Sequence, residues 1–83
     1  MSENTVEIGE DVEVDVVLGE GGVPIGAIVD DIIVATSADG SVVDETIDVL
    51  DAEGNIVLED EIVSVYDGDG QLIESEETIT VID

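Results

Sequence analysis

Apolar and acidic residues alternate along much of the chain, which is the pattern of a half-buried β-strand. The clearest example covers residues 12–18, where valines at even positions are separated by carboxylates. A shorter example at residues 6–8 precedes Gly9, and a closing one covers residues 78–82. These segments predict three strands, and the strand at residues 6–8 is expected at the edge of a sheet.

The segment from residue 25 to 37 fits two structures. Its apolar residues at 25, 28, 29, 32 and 33 have the spacing of an amphipathic helix. Pro24 stands where a helix often starts, and Gly40 lies beyond its end. The same stretch is rich in β-branched residues, which are poor helix formers. We therefore favour a strand, and keep a helix near residues 24–38 as the alternative.

From residue 38 onward, one motif occurs three times, at residues 39–43, 53–57 and 69–73. Each copy has an acid, a glycine, a polar residue and two apolar residues. An acid-glycine pair between β-rich runs is a strong hairpin signal, because glycine supplies the positive φ that the turn requires. The motif predicts three successive hairpins and hence an antiparallel meander.

Together these elements predict one all-β domain over residues 1–83, with residues 1–5 frayed. About seven short strands with turns between them favour a small antiparallel β-sandwich or an open barrel. The helical alternative for the middle segment would make the fold α+β instead.

The charge of the chain is one-sided, with 24 acidic residues and no lysine, arginine or histidine. The carboxylates therefore repel one another without a cationic partner, which opposes compaction in dilute buffer. In molar salt the Debye length falls to about 3 Å and most of that repulsion is screened. Because apolar residues make up 43% of the chain, we expect a folded domain rather than a disordered one. The composition indicates a protein that folds in concentrated salt.

The same composition excludes several functions. Without lysine or arginine the chain cannot neutralise phosphates, so we expect no nucleic-acid partner and no anionic membrane partner. Without histidine, cysteine or lysine there is no nucleophilic triad, so we expect no enzyme. Residues 1–4 lack the basic and apolar regions of a signal peptide. We therefore expect a location in the cytoplasm or in a particle assembled there.

Asp67 and Asp69 form the one candidate metal site, because residues 67–71 resemble the start of a calcium loop. A complete calcium hand would need glycine and glutamate where this chain has Leu72 and Thr78. The alternative is an ordinary acidic hairpin turn. We therefore expect no tightly held cofactor, and at most weakly bound Na⁺, K⁺, Ca²⁺ or Mg²⁺.

Other polar features have simpler interpretations. Runs of acids occur at residues 30–31, 44–45, 59–61 and 74–77, and in so acidic a chain they predict a solvated surface rather than an acid-base pair. The loop at residues 19–22 lacks the lysine of a phosphate-binding loop and predicts a turn. Tyr66 predicts either a core residue or an interface anchor.

The acidic composition resembles that of proteins from salt-in halophilic archaea and their viruses. The Gly-x-Pro at residues 22–24 and the Asp-x-x-Gly-x hairpins at residues 51–55 and 67–71 loosely resemble Ig-like modules of virion and cell-surface proteins. Together with the small size, the β-hairpins, the lack of catalytic residues and the lack of a secretion signal, this resemblance predicts a structural virion component, such as a capsid decoration, cement or tail-associated protein. Its partners would be capsid or tail proteins, or copies of itself. A host Ig-like binding module and an engineered reduced-alphabet protein are the alternatives.

Overall fold

The computed structural model describes residues 5–82, which form five long strands and one short turn of 3-10 helix. The strands are β1 (Glu7–Leu18), β2 (Pro24–Ser37), β3 (Gly40–Asp51), β4 (Ile56–Asp67) and β5 (Leu72–Val81). Each strand pairs antiparallel with the one before it, so the single sheet has the order β1-β2-β3-β4-β5. The predictions of an all-β fold and of an antiparallel meander are confirmed. The predicted fraying falls mainly on residues 1–4, which lie outside the described residues.

The middle segment is a strand, and the helical alternative for residues 24–38 is wrong. Val29 in β2 pairs with Val14 on one side and with Asp48 on the other. Backbone pairing on both sides satisfies the donors and acceptors that a helix would satisfy internally. The β-branched side chains of this segment also pack better on a pleated surface.

The described residues form five strands where the sequence predicted about seven. Gly9 looked like a break, but it pairs with Val34 and lies inside β1. The closing strand was predicted to start at residue 78, but Ser75 pairs with Ser64 and the acidic run 74–77 also belongs to β5. Two pairs of predicted short strands are therefore two long strands. They belong to one open sheet, in which β1 and β5 are the two edges, rather than to a sandwich or a barrel.

Two of the hairpin turns are built in the same way. The N–H of Asp51 donates to the carbonyl of Asn55 at 2.9 Å, and the N–H of Asp67 donates to the carbonyl of Gln71 at 2.9 Å. Gly54 has φ 86° and Gly70 has φ 84°, so the glycines supply the positive φ that the motif predicted.

The hairpin between β2 and β3 is tighter, because Ser37 pairs directly with Gly40. Gly40 has φ 148°, and a Cβ there would overlap the carbonyl oxygen of Tyr66. The close approach of β3 to the end of β4 therefore requires glycine at this position.

The sheet is long and narrow, with principal extents of 60 × 20 × 18 Å. The Cα radius of gyration is 16.7 Å, whereas a compact domain of this length has about 12 Å. None of the described residues is buried. The chain therefore forms a single layer without a core of its own.

Candidate functional site

Both faces of the sheet carry large apolar side chains. Successive residues of a strand point to opposite faces, and directly paired residues share a face, so the register assigns every side chain. Face A is the face of Val14, and its large apolar residues are Ile8, Val12, Val14, Val16, Val29, Ile33, Val42, Leu50, Val63 and Val65. Face B is the opposite face, and its large apolar residues include Ile28, Ile32, Val34, Val43, Ile47, Val49, Leu58, Ile62, Tyr66, Ile79 and Val81. Neither face is the polar, solvated face of an ordinary antiparallel sheet.

The exposure of these side chains depends on the strand. Nearly every residue of β3 and β4 is half-buried between its neighbours. Every residue of the edge strands β1 and β5 is exposed. Ile8 is 73% exposed and Val81 is 70% exposed. The apolar surface of the protein is therefore most open to water at its two edges.

Five aspartates each lie beside a glutamate of a neighbouring strand. On face A the pairs are Glu10 with Asp31, Asp44 with Glu61, and Asp48 with Glu59; on face B they are Asp30 with Glu45 and Asp60 with Glu77. Every junction between neighbouring strands of the sheet has at least one pair. We call them the cross-strand carboxyl pairs.

Each cross-strand carboxyl pair favours a proton on its glutamate. The hydrogen bond to the aspartate is the main cause that raises the pKa of each glutamate above its usual 4.5, and repulsion between the two carboxylates adds to it. One Oδ1 atom of each of the five aspartates is shielded from solvent and accepts no hydrogen bond from other protein groups. A shielded acceptor without a donor is unfavourable. A proton on the glutamate would give the pair a donor.

The sequence grouped these acids by chain neighbours, but the structure pairs them across strands. Asp30 and Asp31 are consecutive and therefore point to opposite faces, where each meets a glutamate from a different strand. Glu59 and Asp60 separate in the same way. The sequence signal for this pairing is the spacing of the acids relative to the four turns that join the strands. It becomes readable only when the register is known.

The predicted cation site lies at the turn between β4 and β5. Oδ1 of Asp67 accepts hydrogen bonds from the N–H groups of Asp69 and Gln71, each at 2.9 Å. Among residues 5–82, no three carboxylates are grouped so that they could hold a metal ion. One oxygen of Asp67 is therefore committed to the turn, and weak cation binding by Asp67 and Asp69 stays a prediction.

The preceding turn uses an aspartate in the same way. Oδ1 of Asp51 accepts from the N–H groups of Glu53 at 3.0 Å and Asn55 at 2.9 Å. The hydrogen bond from Asn55 is the main cause that lowers the pKa of Asp51 below its usual 3.8. Asp51 and Asp67 are thus turn-forming residues, a role that the sequence analysis did not assign.

An open apolar hollow of about 360 Å³ lies at the end of the sheet near the turn between β2 and β3. Its lining includes Val6, Ala35, Val42, Val65 and Ile73. Tyr66 borders it and is half-buried, so it is not the core residue that one interpretation predicted. The hollow can receive apolar side chains, and its polar lining includes Ser37, Asp39 and Ser41.

None of the helical segments in residues 5–82 has the length and hydropathy needed to cross a bilayer. No family model, no curated protein and no solved structure matches the chain.

Proposed function

We propose that the protein is a non-enzymatic structural protein that works by associating with other protein subunits in concentrated salt. Its most specific form is a component of a halophilic virus particle, such as a capsid decoration, cement or tail-associated protein. The observation that carries the proposal is the single-layer sheet. Residues 5–82 bury no side chain and present apolar residues on both faces.

The exposed area supports association. The accessible surface is 6008 Å², whereas a compact protein of this mass exposes about 4700 Å². The excess of about 1300 Å² is larger than the ~800 Å² that each partner contributes to a standard interface. A partner that covers part of the sheet would bring the exposed area into the ordinary range. In such an assembly, the second layer of the predicted sandwich would come from another chain.

The charge supports a high-salt setting for that association. A formal charge of −24 with no basic residue repels any acidic partner. In molar salt this repulsion is screened within about 3 Å, while burial of apolar surface remains favourable. We therefore expect association to strengthen as the salt concentration rises.

Co-sedimentation tests the virion form of the proposal. Particles purified from an infected halophilic culture in molar NaCl should contain the protein in a fixed ratio to the main shell protein. Its absence from purified particles would reject a virion role. Its recovery with cellular proteins from uninfected cells would favour a host binding module instead.

A further inference from the structure

The two edges of the sheet differ in how they are protected. Natural edge strands discourage pairing with other chains by means of charges and bulges. β1 has five acids spread along its length, from Glu7 to Asp15. In β5 the acids are confined to residues 74–77, and residues 78–82 are uncharged, β-branched and exposed. We call residues 78–82 the open edge.

Backbone groups of the open edge point away from the sheet. The N–H of Ile82 donates to the carbonyl of Val57 at 2.9 Å, so the even-numbered residues of this segment bond to β4. Backbone groups alternate in direction along a strand that pairs on one side. The N–H and C=O groups of Ile79 and Val81 therefore face outward, and β5 has no further strand beside it in the described sheet.

A second copy fits this edge by symmetry. In an antiparallel pair about a two-fold axis at Thr80, Ile79 faces Val81 of the second copy and Thr80 faces its own counterpart. The outward groups of Ile79 and Val81 then form closely spaced hydrogen bonds in both directions. Such an interface is isologous and closes as a dimer rather than growing into a fibre.

The side chains favour the same register. A row of apolar residues crosses face B through the direct pairs Ile28 with Val49, Val49 with Leu58, and Leu58 with Val81. The row ends in solvent at Val81, which is 70% exposed. In the symmetric pair, Ile79 of the second copy continues the row and covers that end.

Charge also selects this edge. With 24 acids in each chain, most other contacts between two copies would bring carboxylates together. The open edge itself contains no charge, and the repulsion between the acids that flank it in the sequence, Glu77 and Asp83, is screened in molar salt. We propose that the protein forms a homodimer in concentrated salt by antiparallel pairing of residues 78–82 with the same residues of a second copy. This inference rests on the proposed function, since it names one partner of the associating sheet.

Light scattering on a size-exclusion column in molar NaCl tests the dimer. The wild type should have twice the chain mass of 8.6 kDa and should dissociate on dilution. Val81→Glu places two like charges within the paired segment, which should weaken the dimer by roughly tenfold or more. Ile8→Glu is the matched control, because Ile8 is equally exposed on the other edge and also lies opposite an apolar residue, Ala35. It should dimerise like the wild type.

Amide hydrogen exchange on the wild type gives a second measurement that does not depend on a variant. The amides of Ile79 and Val81 should exchange slowly at high protein concentration and quickly at low concentration. Fast exchange at both concentrations would overturn the inference, as would a dimer that Ile8→Glu disrupts and Val81→Glu does not. A monomer that still co-sediments with particles would overturn the dimer and leave the proposed function standing. A dimer through the open edge that is absent from particles would support the dimer and reject the virion role.

Discussion

Asp48 on β3 lies directly opposite Glu59 on β4, so their two side chains share one face of the sheet. Opposed like charges on neighbouring strands destabilise a sheet. The hydrogen bond to Asp48 and the repulsion from its charge raise the pKa of Glu59, and a proton on Glu59 would replace the repulsion with a hydrogen bond. In the four other cross-strand carboxyl pairs the two acids are diagonal neighbours rather than directly opposite residues, and the pKa of the glutamate is raised in each of them as well.

These pairs predict that mild acid stabilises the protein. The five glutamates have folded-state pKa values above the usual 4.5, so the folded state holds more protons than the unfolded state. This stabilisation is fully present below pH 4.5 and is lost as the pH rises through the raised values. The free energy of unfolding, measured by urea titration in molar salt, should therefore increase from pH 7 to pH 4.5. A decrease over that range would contradict the role of the pairs.

The trend should reverse at lower pH. The pKa of Asp51 is lowered from 3.8 by the hydrogen bond from Asn55. The stability that Asp51 contributes is present above pH 3.8 and is lost as the pH falls through its folded value. We expect the urea midpoint to pass through a maximum near or below pH 4.5 and then to decline.

Replacing one partner of a pair with an amide should have the effect of the proton. Asp48→Asn removes one charge and gives Glu59 a permanent donor, so it should raise the melting temperature at pH 7 and weaken the dependence on pH. Asp11→Asn is the control, because Asp11 lies opposite Ile32 and the variant loses the same charge. Equal gains from the two variants would mean that total charge, and not the pair, decides the stability.

Asp67 should stabilise the fold through its turn. Asp67→Ala removes the acceptor of two backbone N–H groups, and the loss should cost about 1–2 kcal/mol in the free energy of unfolding. Asp67→Asn keeps an oxygen at that position and should recover most of the loss. Asp69→Ala should change the stability by less than about 0.5 kcal/mol, because it leaves the backbone donor of Asp69 in place. Calorimetric titration of the same variants with CaCl₂ tests the predicted weak cation site separately.

Two glycine substitutions distinguish a position where the backbone requires glycine from one where glycine only adds flexibility to the unfolded chain. Gly40→Ala should destabilise the protein by about 1–3 kcal/mol, because φ is 148° and a Cβ would meet the carbonyl of Tyr66. Gly9→Ala should be neutral or stabilising by up to about 1 kcal/mol, because a Cβ there meets no atom within 4 Å. Thermal melts in molar salt compare the two. Equal destabilisation would show that the turn at Gly40 relaxes.

Salt should control folding as a whole. A sheet with no buried side chain and a charge of −24 has little to oppose its self-repulsion in dilute buffer. Circular dichroism should show a β spectrum in molar NaCl and loss of structure at low salt. Persistence of the full spectrum in salt-free buffer would contradict the electrostatic argument.

The hairpins could be predicted from the sequence because their signals are local. Gly54 and Gly70 lie within a few residues of everything that makes each turn. The length of the strands could not be predicted in this way, since Gly9 and Ser75 are held in strands by their pairing with Val34 and Ser64 on the neighbouring strands.

The cross-strand carboxyl pairs could not be predicted from the sequence for a related reason. They depend on a register that is shifted between Val49 and Leu50 and again between Val65 and Tyr66. A slip by one residue moves every side chain of a strand to the other face. Alternation within a strand shows which residues share a face, but it does not show which residue of the next strand they meet.

The order β1-β2-β3-β4-β5 means that each strand pairs only with the strands next to it along the chain. Such a ladder is a linear array, in which stability is close to a sum of nearest-neighbour terms. Unfolding then starts with the edge strands β1 and β5 and proceeds toward β3. A sheet of this kind also has an adjustable width, because one more acid-glycine turn followed by a strand would add one strand at an edge and leave the other pairings unchanged.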